Sequence, residues 1–435
     1  MNKLRSAFVA LIVFLLASIS FAEEYKFDLS EIEKKPYHIG GYVEFRPVIF
    51  WLDRDAALYK LRFFNRDKEN TIGELNGKLQ IEGSYEKGIA RLFVRTNFDL
   101  KYSYLGWDYS DPERMIYEGY ISLKPIPSLT FKLGKQTLLW GKGYAFNPVA
   151  FISRPKDPDD PELALEGFIT ASADYIKSFN GPLKTISITP VIFPVYEHIN
   201  DDFGKIKRLN FAGRLYFLLY DTDIDLMWLT GGSKTNRFGM DFSRNITSNF
   251  EIHGEFAYIN NQTKKVIDSQ GNISESTFDA QSYLLGIRYL TPWDTTFILE
   301  YYRNGTGFTH REMKDYFTFI DKGYDLFLVT GDDSLLKKAA GVTEGNYGRS
   351  NPMKDYLYLR ASQKEPFNIL YFTPAITGII NLNDGSLSLS PELLYTGIKN
   401  LEVRLKGTGL FGGRYTEYGE KPNDYRLELR VRYYF

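Results

Sequence analysis

The chain ends Tyr425-Arg426-Leu427-Glu428-Leu429-Arg430-Val431-Arg432-Tyr433-Tyr434-Phe435. Tyr425, Leu427, Leu429, Val431, Tyr433 and Phe435 share one parity, and Arg426, Glu428, Arg430 and Arg432 share the other. Successive side chains of a strand point to opposite faces, so this segment is a strand with two very different neighbours. In a soluble sheet the apolar face would meet a core and the charged face water. In a closed barrel set in lipid, the apolar face meets acyl chains and the charged face a wet lumen. The rest of the chain decides between them.

The same period of two recurs upstream. Leu92, Val94, Phe98 and Leu100 alternate with Arg91, Arg95, Asn97 and Asp99; Leu401, Val403 and Leu405 alternate with Glu402, Arg404 and Lys406. Strands are predicted at about 39–51, 77–85, 89–102, 115–124, 128–140, 167–177, 183–193, 207–218, 223–230, 237–244, 249–260, 280–290, 295–303, 354–362, 369–380, 386–396, 400–411 and 423–435. That makes about 18, with 16 as the alternative count; an even number suits a bacterial barrel. Pro47 interrupts the first and marks a bulge or an edge-like position. Connections after even-numbered strands are short, such as Glu86-Lys87 and Asn180-Gly181-Pro182. Those after odd-numbered strands are mostly long: 52–76, 103–114, 141–166, 194–206, 261–279, 304–353 and 412–422. A barrel has short turns at one end and long loops at the other, whereas a soluble sandwich has no reason for this parity. Trp51, Trp140 and Trp228 fall near predicted outer strand ends, Trp107 in an outer loop and Trp293 in a turn, as interfacial indoles would.

Lys3 and Arg5, the apolar run Ala7 to Ala17 and the site Ser20-Phe21-Ala22 read as a cleaved secretory signal. The expected organisation is therefore a signal peptide at 1–22, a short periplasmic lead at 23–37 and a transmembrane barrel over 38–435. No later stretch is long and apolar enough for a spanning helix. With no cysteine, disulfides and thiolate metal sites are excluded. With 53 basic and 54 acidic residues the near-neutral balance argues against nucleic acid. The 32 Tyr and 33 Phe favour strands over helices.

The terminal aromatic residue Phe435 resembles the closing-strand signal of bacterial outer-membrane barrel proteins, which implies recognition by the barrel-assembly machinery. A second resemblance lies after the fifth strand. Gly134-Lys135-Gln136, Trp140-Gly141 and Asn147-Pro148 are similar to a signature in a poorly characterised group of porin-like outer-membrane proteins. The likeness covers about 15 residues and implies a channel, not a reaction. It places the chain in the outer membrane of a Gram-negative cell, in contact with lipid and with small hydrophilic solutes. Homo-oligomers are common in the porin type.

Candidate site residues follow. The stretch 141–166 is the third outer loop, which in general porins folds inward. Lys142, Arg154 and Lys156 stand against Asp157, Asp159, Asp160 and Glu162, a set able to form a charged constriction. A calcium site from these carboxylates has no recognised loop spacing, and three prolines restrict its wrapping. Arg91, Arg95, Asp99, Arg214, Glu255, Arg288, Glu300, Arg404 and Arg430 share the inward parity and are expected to line the pore, many of them in pairs. Loop 304–353 carries two short helical patterns, at Arg311 to Phe319 and Asp333 to Ala340, and reads as a lid or as a mobile loop. The four histidines, including His253 followed by Gly254 and Glu255, match no hydrolase pattern, so no enzyme, cofactor or metal is expected. The reading is an all-β transmembrane antiparallel barrel, acting as a porin-like channel for passive diffusion. The alternatives are a substrate-specific transporter and a closed barrel that binds through its outer loops.

Overall fold

The computed structural model of the chain describes residues 35–103, 106–109, 115–161 and 166–435, with backbone only at 106–109. The expected signal peptide, most of the lead, Glu162 and the Trp107 side chain lie outside the described residues. The barrel strands are β1 (Tyr37–Leu52), β2 (Thr71–Lys87), β3 (Ala90–Ser103), β4 (Ile116–Ile126), β5 (Leu129–Gln136), β6 (Phe168–Ser178), β7 (Leu183–Val195), β8 (Arg208–Leu219), β9 (Thr222–Thr230), β10 (Arg237–Thr247), β11 (Phe250–Ile267), β12 (Ile273–Leu290), β13 (Thr295–Arg303), β14 (Asp355–Gln363), β15 (Phe372–Asn381), β16 (Leu387–Ile398), β17 (Leu401–Phe411) and β18 (Asn423–Tyr434). Each pairs with its sequence neighbour, and β18 returns to β1, so the 18 strands close. Tyr42 lies opposite Tyr434 and Phe45 opposite Val431. An additional short strand, Gly106–Tyr109, folds back on β3 beyond the wall.

Closure removes the sheet edges, and the sequence period then sorts the faces. Leu427, Leu429, Leu405, Leu393, Ile121 and Phe211 are exposed on the outer face. Gln80, Asn97, Asp225, Asp241, Glu392 and Arg430 are buried on the inner one. Apolar outside and polar inside is the arrangement of a transmembrane barrel, and the reverse of a soluble one.

The structure departs from the sequence reading in four places. The connection expected at 261–279 is mostly sheet: β11 runs to Ile267, β12 starts at Ile273, and Asp268 caps the turn by accepting from the Asn272 and Gln270 backbone N–H groups. One face of this extension packs on the cap, through Lys264–Glu312 and the buried Ile267, and the other meets water, so the apolar parity that marks a lipid-facing strand is missing. Loop 52–76 shortens because β2 starts at Thr71, and its remainder contains helix α1 (Ala57–Phe63). Pro47 makes no bulge: the β1–β18 register is the same on either side of it, and the shift comes later, at Trp51/Leu52. Trp140 is no interfacial residue; it is 4% exposed and packed among apolar side chains.

Loop 304–354 is folded. Helix α2 (His310–Thr330) opens with a reciprocal capping box between Thr309 and Glu312 and stops at Gly331, whose φ of 77° a non-glycine residue adopts only with strain. Helix α3 (Ser334–Val342) packs on it. Met313, Tyr316, Phe317 and Ile320 of α2 bury with Ala57 of α1, Leu336 of α3, Tyr418 of loop 412–422 and the wall tyrosines Tyr356 and Tyr358. Lys60–Asp321 at 2.7 Å and Arg414–Asp321 at 2.5 Å tie three loops at the rim of this cap.

The sorted faces make a direct prediction. Leu429→Arg, mid-strand on the outer face, destabilises the folded barrel in a bilayer by about 2–4 kcal/mol. Ser122→Arg, on the inner face of β4, costs much less. Equilibrium unfolding in urea from lipid vesicles separates the two.

Candidate functional site

The region between β5 and β6, residues 137–167, contains the stretch singled out by its charges and prolines. A segment leaving a sheet carries backbone N–H groups that need partners wherever water is excluded. Two wall carboxylates supply them. Glu255 of β11 accepts from the N–H groups of Lys142 (2.6 Å), Gly143 (2.6 Å) and Val149 (3.4 Å). Glu300 of β13 accepts from those of Tyr144 (2.5 Å) and Ala145 (2.9 Å), and its Oε1 lies 3.0 Å from His253 Nε2. Both carboxylates are fully shielded, at 4% and 0% exposure. The approach depends on glycine. Gly141 has a φ of 102°, and a Cβ there would stand 2.6 Å from Glu255 Oε1. A Cβ on Gly143 would meet the Phe146 carbonyl oxygen at 2.1 Å.

Beyond this elbow the segment is apolar. Val149, Phe151 and Ile152 bury against Val191, Phe193 and Val195 of β7, Met227 and Leu229 of β9 and Ala257 of β11. Burying each large side chain contributes about 1.5–3 kcal/mol. Phe146 turns the other way and stacks on Tyr302 of β13 at 4.6 Å, entering the apolar core of the cap.

The acidic end of the segment is held by the opposite strands. Asp160 contacts Arg430 Nη2 at 2.5 Å and Arg404 Nη2 at 3.2 Å. Asp159 pairs with Lys406 at 2.8 Å and with Arg426. Burial alone pushes both carboxyls up. The surrounding cations outweigh it, Arg404 and Arg430 for Asp160 and Lys406 and Arg426 for Asp159, and hold both below the usual carboxylate range. Asp157, with only distant cations, is instead pushed up by burial.

The remaining candidates divide between loop and wall partners. Lys142 pairs with Asp225 of β9 at 3.0 Å. Arg154 bridges Asp202 (2.6 Å) and Glu166 (3.0 Å) at the loop rim. Lys156 donates to the Gly143 carbonyl at 2.5 Å, and burial lowers its pKa. Apart from Arg154 and Glu166, the described cations and acids of the segment meet wall strands, other loops or backbone carbonyls instead of one another. On the wall, Arg95 pairs with Glu118 (2.8 Å) and Glu82 (3.3 Å), and Asp99 with Lys78 (3.2 Å). Arg288 lies 3.8 Å from Glu251, and Arg214 3.7 Å from Asp225. Arg91 lies over the Phe93 ring at 5.9 Å.

Sequence reasoning missed His253, Asp225, Asp241 and the apolar inner patch. His253 sits between Glu251 and Glu300 with no exposed surface, a positioning contact for Glu300. The inner patch had a signal. Residues 191–195, Val-Ile-Phe-Pro-Val, and 226–229, Leu-Met-Trp-Leu, lose the alternation, as strands covered on both faces do. Asp225 and Asp241 face one another directly across β9 and β10, which only the register reveals.

Replacing Glu255 by Gln removes one acceptor oxygen and sets an amide donor against backbone N–H groups. The expected cost is about 1–3 kcal/mol, with faster protease cleavage within 141–161. Limited proteolysis of the refolded barrel reads this directly, and unchanged cleavage would show that Glu255 does not hold the elbow.

No protein-family model matches the chain, and no curated relative matches it. Among solved structures, a variant of Rhodopseudomonas blastica porin aligns at 10% identity over 92% of this chain and 100% of its own, with a TM-score of 0.45. Pseudomonas aeruginosa OccK5 (OpdH) aligns at 12% identity over 91% of this chain and 98% of its own, with a TM-score of 0.49. Neither assigns a residue role here; the closed barrel stands on its own strand register.

Proposed function

We propose that the chain is a porin-like channel of the bacterial outer membrane, passing small hydrophilic solutes by passive diffusion. In this reading residues 1–22 are removed on export, the short turns face the periplasm and the apolar exterior meets lipid. Residues 137–167 cross the lumen and narrow it. The observation that carries the reading is the spacing of that segment's attachments. It is rooted at β5 and β6, bonded to β11 and β13 by backbone N–H groups, and bonded to β17 and β18 by Asp159 and Asp160. These attachments lie about a third of the strand ring apart, so the direct course between them runs across the interior.

The free space then lies beside the segment. On the β2–β3 wall Asp99 and Lys101 keep 42% and 41% of their side-chain surface open. Charges of both signs across a narrow aqueous gap set a transverse field and select by size and charge. A second reading, a channel selective for one substrate class, is favoured by the folded cap. Its shared apolar core over α1, α2, α3 and Tyr418 covers part of the long-loop end.

Folded protein in planar bilayers should give stepwise conductance; silence across many insertions would defeat the channel reading. Asp159→Asn with Asp160→Asn removes the attachment to β17 and β18 and should raise single-channel conductance or its noise. The same attachment sets a pH dependence. A carboxyl whose folded pKa is depressed contributes stability above its unfolded value, about 3.9 for Asp, and loses it as pH falls through the folded value. Conductance should therefore hold steady from neutral pH down to about 4 and change only below it. A transition centred near neutrality would rule out Asp159 and Asp160 as the groups that set it.

A further inference from the structure

We propose that the wall below the first limb of the 137–167 segment binds a small oxyanion, a carboxylate or a phosphate, between Lys132 of β5 and Arg214 of β8. The strands β5 to β8 and residues 136–140 line a half-open cavity of about 280 Å³ there. It is built by the Gln136-to-Trp140 part of the signature stretch, which the attachments described above leave without a role.

The lining is cationic by count. Lys132 and Arg214 carry positive charge, and Asp174 is the one carboxylate among the lining residues. Asp174 is already occupied, since its Oδ1 accepts from the Ser187 and Thr189 hydroxyls at 2.7 Å each. Neither Lys132 nor Arg214 forms an ion pair with it. Several inner-wall cations are closely paired: Arg95, Arg404, Arg430 and Arg432 each have a carboxylate oxygen within 3.2 Å. Lys132 departs from that pattern. Among the described residues no carboxylate pairs with it, and its ammonium lies 5.3 Å from the Tyr120 ring centroid. Arg214 has only Asp225, at 3.7 Å, which Lys142 holds more closely at 3.0 Å. Arg214 Nε is buried without a hydrogen-bond partner.

The register sets the two cations at a useful separation. Lys132 lies opposite Ser172 of β6, Thr130 opposite Asp174, and Thr189 of β7 opposite Arg214. Three strand spacings of about 4.8 Å put the two backbones about 14 Å apart. The Lys132 ammonium lies toward Tyr120 of β4 and Arg214 toward Asp225 of β9, and both long side chains can reach a small anion held between them. A guanidinium presents paired donors to two oxygens, and an ammonium supplies a point charge, a combination suited to carboxylate or phosphate. The Thr130 hydroxyl lines the same cavity. Such a site would draw anions into the pore and hold them briefly on their way through.

For transport this inference rests on the channel reading, but binding is tested without it. Inorganic phosphate and pyruvate are titrated calorimetrically onto the full folded chain in detergent at low ionic strength. The same anions are then added to single channels in bilayers. Binding of either anion is expected. Lys132→Ala with Arg214→Ala should weaken it about tenfold or more, as loss of charged hydrogen bonds does. Asp174→Asn keeps the acceptor for Ser187 and Thr189, removes the opposing charge, and should tighten binding about threefold. The channel counterpart is partial current block by the anion, relieved in the double variant. Failure of both anions to bind the wild type overturns the site, as does unchanged binding by a double variant shown to be folded by its heat-modifiable gel mobility. If the double variant does not fold, the Asp174→Asn shift decides, and no tightening counts against the site. Binding without conductance would defeat the channel reading and leave the site; conductance without binding would do the reverse.

Discussion

Backbone amides taken away from both sheet and water must find acceptors, and this requirement governs the interior of the barrel. Glu255 and Glu300 meet it for the 142–149 stretch, five N–H groups against two shielded carboxylates. An unmet buried donor costs about 1–3 kcal/mol, so removal of these carboxylates would outweigh the gain from burying any one nearby side chain. The glycines at 141 and 143 follow from the same demand, because a Cβ at either position would occupy space the carboxylate or the chain itself needs. His253 follows in turn, set against Glu300 without exposed surface. The apolar packing of Val149, Phe151 and Ile152 depends on this elbow, because it aims those side chains at β7 and β9.

The elbow also joins two cores that would otherwise be independent. Phe146 leaves it towards Tyr302 and the cap, while Phe151 leaves it towards Phe193 and the lower patch. The cap and the segment after β5 therefore share buried surface, and lifting the helices would expose Phe146. Interfaces of this kind shift between discrete packings more readily than they deform gradually. The ion pairs at the cap rim, Lys60–Asp321 and Arg414–Asp321, are partly solvated and contribute modestly, so the shared apolar core is the stronger coupling.

The barrel wall was legible in the sequence because lipid and water impose opposite demands on adjacent residues. Every predicted strand coincides with an observed one, and the last closes on the first at Tyr42 to Phe45. Legibility ended where one of those two solvents was missing. Past Ile259 the β11–β12 extension has water on one face and the cap on the other, and it reads as loop. Along Val191 to Val195 protein lies on both faces and the alternation disappears. The helices of loop 304–354 were visible at 311–319 and 333–340, but the first was expected to end at Phe319, whereas α2 continues to Thr330. The site residues were legible as a list and not as contacts. Arg404 and Arg430 approach Glu428 at 3.5 and 3.6 Å, yet their closest acidic partner is Asp160, more than 240 residues earlier. Only register and loop path could join them.

The distribution of partners around the ring gives the interior a direction. From β14 round to β1 the inner cations are paired to acids of neighbouring strands or of the crossing segment, as with Arg360 and Glu392, Arg404 and Asp160, and Arg432 and Glu44. Paired charges of this kind fix structure and present little net field to a passing ion. From β5 to β8 the arrangement changes. Acids there are satisfied by hydroxyls, and Lys132 and Arg214 are left with weak or no acidic partners. The same residue types thus serve two purposes, depending on whether a carboxylate lies within reach. The sector that holds the crossing segment neutralises its charge, and the sector beneath the segment's first limb keeps charge available for a solute.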